Sequence, residues 1–280
     1  MKRTILASIF LCLCVGLGAD IHAQETLAVD QLMHDGSQAY EHGDFEQAVE
    51  RWTQAAAAYE RSAAREEQID VLIRLSEAYQ SLGRYRTAVI RLDQAKALIP
   101  DRDDSLLPIR ILWRTGSLYQ AGGQHTEAEL SLQEALRRAK TLSQPALTAA
   151  ILNDLGNVAA SQGKFADALA AYTESFETAQ VAPMKLLAAA SQVNSARVLV
   201  SSKQYRESKT RLDQTVGILR GLDPSHEQIS AFITVGLTYA KLRAFLTDLN
   251  TDLTLAAFQA LHDAARAADQ LGDLRGSSFA

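Results

Sequence analysis

The chain has 280 residues, 47% of them hydrophobic, with five prolines, two cysteines and a formal charge of −5. That is length for one large or two ordinary domains, and an acidic balance with no stretch of concentrated Lys and Arg argues against a nucleic-acid phosphate partner. Both cysteines, Cys12 and Cys14, stand close to the N-terminus, so a chain that loses its leader has no thiol for disulfides, cysteine-protease chemistry or Cys-ligated metal.

In chain order, Lys2-Arg3, the apolar run Ile5 to Leu17 and Ile21-His22-Ala23 before Gln24 have the three-part layout of a secretory signal peptide. The apolar core, about thirteen residues, is short of the ~20 that span a bilayer. Residues 1–23 are therefore expected to be cleaved and the mature chain exported, to the periplasm or beyond, without a transmembrane span. Leu11 and Leu13 precede the cysteines where a lipoprotein signal needs small residues, which argues against lipid attachment.

Beyond the leader one skeleton recurs. Around Gly163 the stretch Leu152 to Ser175 reads as a helix, a tight turn and a second helix, with apolar residues three and four apart on each side. Steps of forty residues from Gly163 land on Gly43, Gly83, Gly123, Lys203 and Arg243. Two positions after each stands a ring: Phe45, Tyr85, His125, Phe165, Tyr205 and Phe245. Seven before each sits a small residue: Gly36, Ser76, Gly116, Gly156, Ala196 and Gly236. Nine after come Trp52, Leu92, Leu132, Tyr172 and Leu212. Repetition at such a period specifies a stacked array of hairpins in which each unit packs on its neighbours.

The units are expected near 29–65, 67–100, 106–142, 145–180, 183–221 and 224–270, with residues 24–280 forming one array and a seventh unit starting from about 271. All five prolines fall between one unit's second helix and the next unit's first, where a missing amide donor does no harm. In the fifth unit Gln192, Ser195 and Thr215 replace apolar core residues, and their polar atoms must find partners or weaken the unit. In the sixth, Ala257, Leu261 and Ala264 restore the small–large–small spacing nine residues late, so Thr247 to Asp252 reads as an inserted loop. No polar helix is expected to cap the last apolar face, which leaves three readings of the end: a longer polypeptide, a frayed terminus, or self-association through the uncapped ends.

This skeleton resembles the tetratricopeptide repeat (TPR) family in its forty-residue form, over roughly Val29 to the end. The resemblance implies an all-α fold, a right-handed superhelical solenoid of about six antiparallel helix pairs. It also implies that the first helices of successive units line a concave groove that binds a peptide or protein partner. On that analogy Arg74, Trp113, Arg114, Asn153, Asn157, Asn194 and Arg197 face the groove. Asn amides suit a peptide backbone, Arg forks onto a carboxylate, and Trp supplies an apolar anchor.

Residues suited to catalysis or cofactor binding form no convincing set. Asp248 to Thr254 imitates a calcium loop, but Leu253 replaces its glycine and Gln259 its bidentate Glu. His34 and His42 lack an HExxH pattern, His125 occupies a ring position, and phosphate-loop, nucleophile-elbow and dinucleotide signatures are missing. The expectation is a non-enzymatic interaction scaffold of an exported bacterial protein, with no cofactor or metal. The alternative is the regulatory front of a longer enzyme, since forty-residue arrays resemble those placed before caspase-like CHAT peptidase domains.

Overall fold

The computed structural model describes residues 27–100, 105–181 and 184–272. The signal-peptide segment, both cysteines, part of the loop after Pro100, Pro183 and most of the seventh-unit start lie outside these residues. Among the described residues every regular element is a helix. They are α1 (27–41), α2 (Phe45–Ser62), α3 (Arg65–Ser81), α4 (Tyr85–Ala97), α5 (Leu107–Ala121) and α6 (His125–Thr141). After them come α7 (Pro145–Ser161), α8 (Phe165–Val181), α9 (Lys185–Ser201), α10 (Tyr205–Leu219), α11 (His226–Leu242) and α12 (Asn250–Leu271). Consecutive helices pair as hairpins, and each hairpin packs on the next, as in a helical solenoid. No single described helix is long and apolar enough to cross a membrane.

The turn inside each hairpin is chemically the same five times over. Gly43, Gly83, Gly123 and Gly163 adopt φ between 70° and 78°, the left-handed region that costs glycine little. The amide that follows each of them reaches back five residues to a helix carbonyl, as in Asp44 to Ala39 and Lys164 to Ala159, both within 2.9 Å. Lys203 makes the fifth such turn at φ 65°, despite its side chain. At the sixth position Arg243 is right-handed, with φ −55°, and the chain instead passes through a 3₁₀ turn at Thr247–Leu249.

The small-residue positions bring the paired helices into close contact. A β-carbon on Gly36 would stand 2.5 Å from the Trp52 ring, one on Gly116 2.6 Å from Leu132, and one on Gly156 2.5 Å from Tyr172. Gly236 would meet Leu261 at 2.8 Å, so the late spacing of the sixth hairpin does restore the pairing. The insertion is shorter than expected, however. It ends at Leu249, because Leu253 is wholly buried in the core and α12 is already helical at Asn250.

Partners exist for two of the three polar residues inside the fifth hairpin. Gln192 accepts a hydrogen bond from the Arg211 guanidinium at 3.0 Å, and the Thr215 hydroxyl donates to the Arg211 carbonyl at 2.7 Å. The buried Ser195 hydroxyl has no hydrogen-bond partner among the described residues.

Candidate functional site

The odd-numbered helices from α3 to α9 carry the seven residues expected to face the groove, and several of those residues bond to the neighbouring unit. Asp70 on α3 binds Arg74 at 2.7 Å and also Arg110 on α5. Burial alone would raise the Asp70 carboxyl, but the hydrogen bonds from the two guanidinium groups outweigh it and hold its pKa below the ordinary value. Arg114 pairs with Glu77 at 2.6 Å and lies 4.0 Å above the Trp113 ring. The Trp113 indole N–H donates to Asp154 on α7 at 2.7 Å, and the Ser117 hydroxyl donates to the same carboxylate oxygen at 2.6 Å. Asn153 accepts from the Asn194 amide on α9 at 3.1 Å. Apart from Asp70 and Arg74, which share a helix, the bonded partners are 37 to 41 residues apart in the chain, about one repeat, so the ladder is itself a product of the period.

Four of the seven residues expected in the groove, Arg74, Trp113, Arg114 and Asn153, are therefore engaged in this ladder and do not line the cleft between α7 and α11. The other three, Asn157, Asn194 and Arg197, do line it. The cleft has a volume of about 810 Å³ and is bounded by α7, α8, α9 and α11, with Gln120 of α5 at its edge. Its apolar share includes Phe165, Val198 and the exposed Leu237, and its charge comes from Arg197 and Lys241; among the described residues no carboxylate lines it. Lys241, Gln120 and Thr238 escaped the sequence reading, because nothing in the repeat marks their positions as facing inward, whereas Thr234 stands nine residues before the sixth turn position, where the repeat does.

Arg197 is exposed and forms no ion pair with a described residue, unlike the other arginines of the groove. Beneath it the Tyr172 hydroxyl donates to the Asn157 carbonyl oxygen at 2.8 Å. Burial pushes the Tyr172 phenol well above its usual pKa against the opposing pull of Arg197, so it stays a donor at neutral pH. The Asn157 oxygen is thereby taken, while its amide makes only a long 3.4 Å bond to Asp154. What the cleft offers a ligand is a free guanidinium, an ammonium, hydroxyls and apolar walls.

The remaining candidates do not assemble. Asp248 is bound by Arg206 at 2.6 Å and Asn250 by Arg243 at 2.9 Å, so two oxygens of the calcium-like segment face cations. Among the described residues no three His, Cys, Asp or Glu side chains are grouped to hold a metal ion.

The tetratricopeptide repeat family description matches residues 108–180 and, in an overlapping second register, 146–221. No curated protein matches the chain. Among solved structures, a Rap protein complexed with Competence and Sporulation Factor superposes with a TM-score of 0.67 at 15% identity, over 93% of this chain and 76% of that one. Aspartyl phosphate phosphatase F from Bacillus subtilis gives 0.65 at 12% identity, over 94% and 72%. BtubC (BKLC) from P. vanneervenii gives 0.57 at 18% identity, over 84% and 92%. At these identities the likeness is one of fold. The family match covers residues 108–221, and over those residues the chain carries tetratricopeptide repeats, set in a hairpin turn repeated from Gly43 to Lys203.

Proposed function

We propose that the chain is a non-enzymatic interaction scaffold that holds an acidic stretch of a partner peptide or protein in the cleft between α7 and α11. The observation that carries this reading is Arg197, an unneutralised guanidinium in a cleft of about 810 Å³ whose lining has a second cation and no carboxylate. Such a wall favours carboxylates by charge and by forked hydrogen bonding, while Leu237 and Phe165 offer apolar contact beside it. The fold is compatible with this use, since the Rap protein that shares it was solved in complex with Competence and Sporulation Factor.

The test is fluorescence anisotropy with a labelled Glu/Leu peptide, against a Lys/Leu counter-probe. The acidic probe is expected to bind with a steep salt dependence, and Arg197→Ala to weaken it by about tenfold or more, the worth of a charge-assisted hydrogen bond. Equal affinity of parent and variant for the probe removes the cleft from consideration.

The scaffold acts outside the cytoplasm in this reading. Support comes from the Lys2-Arg3 start, the apolar run to Leu17 and the confinement of both cysteines to that segment. Mature protein recovered from a periplasmic or culture fraction is expected to begin near Gln24. Full-length protein confined to the cytosolic fraction contradicts it.

A further inference from the structure

We infer that the array closes on itself, the first hairpin meeting the sixth in a seam that gates entry to the cleft. The seam is visible in ring geometry. Phe45, at the start of α2, meets the imidazole of His226, at the start of α11, edge-on, with centroids 5.3 Å apart and planes at 88°. Tyr40 packs against the other side of Phe45 at 5.2 Å.

Burial gives an independent sign. Phe45, Tyr85 and Phe245 hold the same place in their hairpins, two residues after the repeat position, yet Tyr85 is 45% exposed, Phe245 48% and Phe45 only 6%. The repeat by itself does not bury that ring; α1 and the far hairpin do. Electrostatics agree, because burial raises the Tyr40 phenol and the Glu227 carboxylate, five units along the array, pushes it the same way.

Between the two ends lies a cavity of about 430 Å³ bounded by Tyr40, Phe45 and Ser81 on one side and by α9 and α11 on the other. Asn194, Arg197 and Thr234 line both this cavity and the cleft, so the two spaces share a wall. A bulky ligand approaching Arg197 from this side has to part Phe45 from His226. The gate rests on the cleft reading only for what enters; the seam itself can be tested without any ligand.

The experiment places a thiol on the wall of the seam cavity that the cleft does not share, as Ala190→Cys, in the chain with Cys12 and Cys14 replaced by Ser, and measures its labelling by polyethylene-glycol maleimide. Spin labels at the exposed positions Glu41 and Asp223 report the seam distance in parallel by double electron–electron resonance. The parent is expected to label slowly and to give one narrow distance distribution. Phe45→Ala and, separately, His226→Ala are expected to raise the labelling rate by about two- to tenfold, the span that an edge-on ring pair is worth, and to add a longer distance. A thiol at the fully buried Ser208 position must stay slow in both variants, which separates seam opening from unfolding. Labelling and distances that neither variant changes overturn the proposal. A changed distance with unchanged labelling overturns the gate.

Discussion

Arg114 and Arg197 stand on helices of the same concave series, and they differ in what lies one repeat before them. Thirty-seven residues before Arg114 is Glu77, which binds it; thirty-seven before Arg197 is Ala160, which cannot. Sequence reasoning placed both in the groove but gave them equal standing, because it counted side-chain types and not their partners one unit away. Asp154 shows the same blind spot. It takes hydrogen bonds from Trp113 and Ser117, and so occupies the N–H of the indole that was expected to anchor a ligand. Asp154→Ala leaves both donors facing a gap and is expected to destabilise the array by about 1–3 kcal/mol, with Asp154→Asn, which keeps an acceptor, costing less. Urea unfolding of both variants checks this. Equal stability of Asp154→Ala and the parent would mean that the ladder only decorates the surface.

At the scale of the helix and its turn, the sequence was far more readable. A glycine seven residues before the turn leaves room for the large side chain nine after it, and the structure finds Trp52, Leu132 and Tyr172 in those places. The chain showed less clearly which departures from the pattern keep its geometry. Lys203 and Arg243 both replace the turn glycine, yet Lys203 keeps the left-handed backbone and Arg243 abandons it. The difference lies after the turn. Tyr205 and Ser208 continue the fifth hairpin in register, whereas the sixth has Asp248 and Asp252 where apolar packing is needed and starts its second helix late. Holding a lysine at φ 65° costs about 1 kcal/mol relative to glycine. Lys203→Gly is therefore expected to stabilise the protein by about that amount, read as a higher thermal midpoint. A lower midpoint would show that the lysine side chain contributes more than its backbone costs.

Across the whole molecule, a forty-residue cycle of small and large side chains prescribes that hairpins stack, and the stack follows from it. The cycle does not prescribe how tightly the array curls. Phe45 and His226 meet because many small rotations between neighbouring hairpins add up, and no pair of positions in the sequence records that sum. The cleft has the same origin: Asn157, Asn194 and Arg197 come from successive helices of the series, and Lys241 from the next. On that surface the Arg197 guanidinium has no ion pair with a described residue. Reversing its charge tests the point most directly. Arg197→Glu should exchange the ligand preference, losing the Glu/Leu peptide and gaining the Lys/Leu peptide in anisotropy titrations, with the helical circular dichroism of the parent retained. An Arg197→Glu protein that is folded and still prefers the acidic peptide would contradict the account.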